Sequence, residues 1–175
     1  MLRRIGLGLP AAAVLASWCL PSRPAAAQSA TIGESIVGTW FLVSVVSQSD
    51  DGTRGEPSGP GPRGVMMFSR DGYLSLFQSR AEIPRLASND RARATPEEAM
   101  AVVRDSIAYY GTYTVDEAGR SLAVALDGST YANLLGGPAQ RRIVTALTET
   151  GLQFSNPRTP SGMTLHTVWR KAAPR

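Results

Sequence analysis

GTWFLVSVVS, residues 38–47, and TVWR, residues 167–170, are the two stretches that decide the fold of this chain. Each is strand-like and carries a tryptophan, and the first is apolar at nearly every position, as expected for a strand covered on both sides. Alternating apolar and polar runs, separated by turn residues, lie between them. A domain that begins and ends on such strands is typical of one antiparallel sheet rolled shut, because closure hides the sheet edges.

The strand pattern is clearest around two turns. Residues 65–69 and 73–77 flank Arg70-Asp71-Gly72, and Asp-Gly between apolar runs is a strong hairpin signal. From Tyr109 to Val115 every second residue shares a face. Further strands are predicted at residues 38–47, 122–126, 142–147, 152–154 and 164–170. We therefore predict a mainly β protein, an eight-stranded antiparallel up-and-down barrel whose interior can hold side chains or one small ligand.

One α-helix is predicted to be inserted in this barrel, near residues 95–108. Thr95-Pro96-Glu97-Glu98 supplies an N-cap residue, a proline at the first helical position and a glutamate that completes a capping box. Met100, Val103 and Ile107 then share one face, so the helix is expected to cover an apolar surface at the mouth or flank of the barrel.

Residues 1–27 carry the three marks of a secretory signal peptide. Arg3 and Arg4 form a basic start, residues 5–20 are largely apolar, and residues 25–27 are alanines that suit cleavage. Pro10 interrupts the apolar run and Pro21 follows it, so the run is too short to span a membrane. Cleavage would remove it, and no membrane span is expected in the mature chain. We predict export to the periplasm or the extracellular space, by either the general or the twin-arginine route.

The charge balance and the reactive side chains exclude several functions. The chain has 18 basic and 14 acidic residues, and three of the basic ones lie in residues 1–27, which leaves 15 basic and 14 acidic residues in the predicted mature part. A nucleic-acid surface is therefore not expected. Cys19 is the only cysteine and His166 the only histidine, so we expect no disulfide, no metal site and no cofactor.

Several runs of residues, taken in order, carry a resemblance to one family. They are Ile36-Val37-Gly38-Thr39-Trp40, Pro62-Arg63-Gly64, Ser69-Arg70-Asp71-Gly72-Tyr73-Leu74-Ser75, Thr95-Pro96-Glu97-Glu98, Ile107-Ala108-Tyr109-Tyr110-Gly111-Thr112-Tyr113 and Val168-Trp169-Arg170. Together they resemble the bacterial and fungal lipocalin-like domain family, in which Gly-x-Trp opens the first strand. The resemblance implies a barrel domain over residues 37–172 with a cavity for a small molecule, and the polar residues 28–36 before it are predicted to form a short lead-in. Members often carry histidines in the strand corresponding to residues 122–127, and this chain has none there.

Aromatic rings with a polar tip suit a ligand cavity, because they pack apolar ligand surface and still offer a hydrogen bond. The candidate ligand-binding residues are accordingly Tyr73, Phe77, Tyr109, Tyr113 and His166. Core packing explains the tyrosines nearly as well. His166 could act as a lone general base, but a hydrogen-bonded or solvent-facing strand histidine is the favoured interpretation, so no catalytic residue is assigned.

Two further groups of side chains have predicted roles. Trp40 and Arg170 are expected to close the barrel base through cation–π packing, without touching a ligand. A basic cluster in the loop before the helix could steer an anionic ligand, although a solvated loop is the favoured explanation. That cluster is Arg80, Arg85, Arg91 and Arg93.

Three functions are compatible with this pattern, since a fold alone does not define an activity. The favoured one is an exported protein that binds a small, mainly hydrophobic molecule in the barrel interior. The second is a cofactor-free isomerase, cyclase or lyase that uses a tyrosine or His166 as acid–base in the cavity. The third is a filled barrel that serves as an interaction module of the cell envelope. The volume and lining of the barrel interior distinguish them.

Overall fold

The computed structural model describes residues 30–157, 159 and 162–173, so the predicted signal peptide lies outside the described residues. Two α-helices and nine β-strands lie within this part of the chain. They are α1 (Ile32–Ile36), β1 (Gly38–Gln48), β2 (Arg54–Gly55), β3 (Arg63–Phe68), β4 (Tyr73–Ser79), α2 (Pro96–Asp105), β5 (Ser106–Asp116), β6 (Ser121–Ser129), β7 (Gln140–Leu147), β8 (Gly151–Asn156) and β9 (Thr164–Lys171). Single turns of 3₁₀ helix lie at Arg91–Arg93 and Ala132–Leu134.

The strands form one closed antiparallel barrel, which confirms the predicted fold. Neighbours in space follow the order β1-β3-β4-β5-β6-β7-β8-β9, and β1 pairs again with β9 through Leu42 opposite Trp169. The two-residue strand β2 only extends the far end of β1, where Gly55 lies opposite Ser47. The two tryptophan-bearing stretches are therefore the two strands that meet to close the barrel.

Helix α1 plugs one end of the barrel, where the sequence predicted only a short lead-in. Its side chains Ile32 and Ile36 are buried in the core. Both carboxylate oxygens of Glu117 accept hydrogen bonds from the backbone N–H groups of Ile32 and Gly33, at 2.9 and 2.8 Å. The fully buried Trp40 donates its indole N–H to the carbonyl of Ile36 at 2.8 Å. We call this end the closed end.

The cation that packs on Trp40 is Lys171, which corrects the predicted role of Arg170. The Nζ atom of Lys171 lies 5.0 Å from the centroid of the Trp40 ring and donates to the carbonyl of Ser35 at 3.0 Å. Side chains alternate along a strand. Since Trp169 points inward, Arg170 points outward and is exposed, while Lys171 returns to the inner side.

Helix α2 begins as predicted and covers less than predicted. Thr95 and Glu98 form the capping box in both directions. The helix ends at Asp105, so Ile107 belongs to β5 and not to the helix. Met100 and Val103 are 61% and 68% exposed, and no helix residue is buried. The expected apolar face is therefore open to solvent.

The outer face of β1 is also open, although this strand was expected to be covered on both sides. Phe41 and Val43 are exposed there, and so are Met67 on β3 and Phe77 on β4. Only the inner face of these strands packs into the core. No helix in the described part of the chain is long and apolar enough to cross a membrane.

Candidate functional site

The barrel interior has a packed half and a hollow half. Large apolar side chains fill the half next to α1, and each of them is almost completely buried. These include Trp40, Met66, Phe68, Leu74, Leu122, Val124, Val144, Leu152 and Phe154. The interior towards the opposite end contains a cavity of about 740 Å³. The barrel is therefore not filled along its whole length.

The cavity lies where the pairing between β6 and β7 ends. Only residues 121–124 of β6 pair with residues 140–143 of β7, and the rest of β6 pairs with β5 alone. The connecting segment that includes residues 133–139 covers this gap and forms part of the cavity wall. Elsewhere the wall combines apolar side chains, among them Leu76, Ile107, Leu165 and Trp169, with polar ones such as Gln78 and Gln140.

Arg142 is the most unusual residue in the cavity lining. Its side chain is buried, with 3% of its surface exposed. It starts on β7, and its Nη1 atom reaches the sulfur of Met66 on β3 at 3.7 Å. In the closed strand order, β3 and β7 are four steps apart in either direction and so stand on opposite sides of the barrel. The guanidinium of Arg142 therefore crosses the interior and separates the packed half from the cavity.

Tyr109 is the main partner of this guanidinium. The Nη2 atom of Arg142 donates to the hydroxyl of Tyr109 at 2.5 Å, and the Arg142 Cζ atom lies 5.4 Å from the centroid of the Tyr109 ring. The Nε atom of Arg142 is buried and has no hydrogen-bond acceptor among the described residues. Arg142 thus has a phenol and a thioether as neighbours and keeps unused donors.

No carboxylate lies within ion-pair distance of Arg142 in the described part of the chain. The ion pairs found there join Asp105 to Arg80 at 3.6 Å and to Arg104 at 3.1 Å, and neither involves Arg142. Buried charges in proteins are normally paired, because removing an ion from water is costly. Arg142 is an exception that calls for an explanation.

A second polar group without a partner lies next to Arg142. The side-chain oxygen of Asn156 is buried, lines the same cavity and has no hydrogen-bond donor among the described residues. Ile143 pairs with Ser155 between β7 and β8, and continuing this register by one residue places Asn156 opposite Arg142. Directly opposed residues on one face of a sheet are close neighbours. Polar groups that lack partners are therefore concentrated at one place in the cavity.

Of the candidate ligand-binding residues, Tyr109 lines this cavity and Tyr113 does not. Tyr113 is buried nearer the closed end, where it packs edge-on against Phe68 at 5.0 Å and donates its hydroxyl to the carbonyl of Ser69 at 2.8 Å. Burial, with a smaller effect of the nearby Asp71 charge, raises the pKa of Tyr113. Tyr113 also borders a smaller cavity of about 400 Å³ beside α1.

Tyr73, Phe77 and His166, which the sequence grouped with the candidate ligand-binding residues, do not line this cavity. Tyr73 and Phe77 are 54% and 42% exposed on the outer face of β4. His166 alternates with Leu165 and Thr167 on β9, and these two neighbours line the cavity. It therefore points away from the interior. A ligand contact at these three residues stays a prediction.

The basic cluster before α2 also lies away from the cavity lining. Its arginines are exposed, and Arg80 has Asp105 nearby. The basic residue that does reach the interior, Arg142, was not singled out from the sequence. The signal was present, because Arg142 shares its face of β7 with the core residue Val144.

The described residues contain no group of three or more His, Cys, Asp or Glu side chains that could hold a metal ion. Polar groups that line the cavity include the buried guanidinium of Arg142, the phenol of Tyr109, the amide of Asn156 and the hydroxyl of Thr167, and the exposed Arg141 lies at the same wall. Thr167 accepts a hydrogen bond from the indole N–H of Trp169 at 2.9 Å.

Several solved structures are similar to this barrel. A lipocalin-like protein from Bacteroides uniformis has a TM-score of 0.42 and 16% identity, with 79% of this chain and 99% of that chain covered. Bovine odorant-binding protein in complex with a selenium-containing odorant has a TM-score of 0.43 and 14% identity, covering 85% of this chain and 77% of that chain. A redesigned β-barrel has a TM-score of 0.41 and 16% identity, covering 81% and 95%.

The sequence comparison identifies the family. No curated protein matches the chain. Residues 37–172, which include every strand of the barrel, match the lipocalin-like domain. This chain belongs to the lipocalin-like domain family.

Proposed function

We propose that this protein is exported and binds a small, mainly hydrophobic molecule inside its barrel. The observation that carries the proposal is the cavity of about 740 Å³. Its volume falls within the ~300–1,000 Å³ range of small-molecule sites, and such sites combine mainly apolar walls with a few placed polar groups. Leu76, Ile107 and Leu165 provide the apolar surface, and Arg142 and Asn156 provide polar groups.

The positions of the acid–base candidates favour binding over catalysis. His166 lies on the outer face, away from the cavity. Tyr109 reaches the cavity, but its hydroxyl accepts a hydrogen bond from the Arg142 guanidinium. A general base must approach the proton that it removes, and among the described residues that line the cavity none is a histidine or a carboxylate.

Extraction of bound lipid tests the binding proposal. The purified protein is incubated with a bacterial lipid extract, washed by gel filtration and analysed for retained small molecules by mass spectrometry. Leu165→Trp fills the cavity from β9, and His166→Trp places the same ring on the outer face of the neighbouring position. We expect a retained molecule in the wild type and in His166→Trp, and none in Leu165→Trp. Empty wild-type protein, or equal retention by the two variants, would contradict the proposal.

Export is tested separately. The proposal rests on the basic start, apolar run and alanines of residues 1–27. When the full chain is expressed in a bacterial host, N-terminal sequencing of the periplasmic fraction should give a protein that starts near Gln28. Accumulation of the uncleaved chain in the cytoplasm would overturn this part of the proposal.

A further inference from the structure

We propose that the molecule held in the barrel carries a carboxylate, which pairs with Arg142 at the inner end of the cavity. This inference rests on the proposed binding function and specifies its ligand class. It starts from the buried guanidinium, which is 3% exposed and has no carboxylate within ion-pair distance among the described residues. A buried cation of this kind is stable when an anion reaches it, and the cavity is the route by which an anion can arrive.

The hydrogen-bonding groups around Arg142 fit a carboxylate. A guanidinium has five N–H donors in a planar fork that matches the two oxygens of a carboxylate. Tyr109 and the Met66 sulfur accept from one nitrogen each, and Nε has no acceptor in the described part of the chain. The hydroxyl of Tyr109 accepts from Arg142 through its oxygen, so its own proton can be donated to the same anion.

The charge also selects among anions. One guanidinium balances the single negative charge of a carboxylate. A phosphate monoester carries nearly two negative charges at neutral pH. Arg141 also lines the cavity, but it is exposed and its Nε atom donates to the hydroxyl of Ser121, so no basic side chain other than Arg142 is buried in the described part of the barrel. The second charge of a phosphate would therefore remain unpaired in the interior, which is unfavourable.

The apolar wall sets the direction of the ligand. Arg142 lies at the boundary with the packed core, whereas Ile107 and Leu165 lie near the strand ends that surround the opening. A carboxylate at Arg142 therefore directs the rest of the molecule along these apolar side chains towards the opening. The buried oxygen of Asn156, which has no donor among the described residues, would accept a hydrogen bond from a hydroxyl carried near the carboxylate.

Matched acid and alcohol probes test this inference. Dodecanoic acid and 1-dodecanol have the same chain and differ in charge. Binding of each to lipid-stripped protein is measured by titration calorimetry at neutral pH, for the wild type and for Arg142→Met and Arg142→Lys. Arg170→Met is the matched control, because it removes one arginine charge from the outer face of β9. Circular dichroism confirms that each variant is folded.

We expect the wild type and Arg170→Met to bind dodecanoic acid at least about tenfold more tightly than 1-dodecanol. The reason is that a hydrogen-bonded pair with a charged partner adds enough binding free energy for a tenfold change in affinity. Arg142→Met should lose this preference and keep its affinity for the alcohol, and Arg142→Lys should retain part of the preference. Equal affinity for acid and alcohol in the wild type would overturn the carboxylate assignment while leaving the hydrophobic-ligand proposal intact. Failure to bind either probe, together with an empty result from the lipid extract, would overturn both.

Discussion

Replacing Arg142 with methionine is expected to raise the free energy of unfolding of the ligand-free protein. The side chain is 3% exposed and has no countercharge within ion-pair distance among the described residues. Burying an ion costs several kcal/mol even after relaxation. Its hydrogen bond to Tyr109 offsets about 1.5–3 kcal/mol of this cost, since one partner is charged. Methionine retains most of the apolar stem and removes the charge.

The net change is estimated at about 2 kcal/mol in favour of the variant, within the range found when buried ionic groups are replaced by apolar ones. For a domain of this size, that corresponds to a rise in Tm of about 4–8 °C. Urea unfolding followed by far-ultraviolet circular dichroism measures the difference, and the slope of the transition must be unchanged for the comparison to hold.

The matched control is Arg170→Met, because Arg170 is exposed on the outer face of β9. Its free energy of unfolding should stay within about 0.5 kcal/mol of the wild type. If Arg142→Met is instead less stable than the wild type by more than about 1 kcal/mol, the guanidinium stabilises the ligand-free barrel and the reasoning above is wrong. Adding dodecanoic acid should stabilise the wild type more than Arg142→Met, because at one ligand concentration the native state that binds the acid more tightly gains more from mass action.

Three further changes test other parts of the structure. A Cβ at Gly111 would overlap the carbonyl oxygen of Ala125 and lie 2.8 Å from the Cα atom of Leu126. Gly111→Ala should therefore lower the free energy of unfolding, measured in urea, by about 2 kcal/mol or more. Gly137→Ala is the control, because a Cβ there would meet nothing within 4 Å, and it should change the same quantity by less than about 1 kcal/mol. Trp40→Phe loses the buried bond to the carbonyl of Ile36 and should lower the same quantity by about 2 kcal/mol. Burial raises the pKa of Tyr113 above the usual tyrosine value of 10.0. The neutral phenol therefore contributes fully to stability below pH 10.0, and this contribution is lost as the pH rises above that value. The free energy of unfolding of Tyr113→Phe should accordingly depend less on alkaline pH than that of the wild type, measured from about pH 8 upward.

Local features of this chain could be predicted from the sequence because their causes are local. The hairpin at Asp71-Gly72 follows from the positive φ that Gly72 adopts, and the start of α2 follows from the cap at Thr95. The end of α2 was predicted too late. Apolar spacing continues through Ile107, although the backbone becomes extended at Ser106 and the residue joins β5.

The direction in which each side chain points was predicted less well. Residues 73–77 are apolar or small on both faces, so alternation alone does not say whether Tyr73 or Leu74 points inward. On β9 the information was available, because the buried Trp169 assigns one face of the strand to the interior. By alternation His166 and Arg170 then belong to the outer face, and Lys171 belongs to the inner one.

The sequence by itself determined a closed antiparallel barrel that begins and ends on tryptophan-bearing strands, because alternation, turn residues and caps act between neighbours in the chain. Only the tertiary structure decided that the interior is half packed and half hollow, and that Arg142 marks the boundary. Closure brings β3, β5 and β7 around one interior, so that Arg142 meets Tyr109, 33 residues away, and Met66, 76 residues away. Contacts across a barrel depend on strand order and shear, and neither leaves a local trace in the sequence.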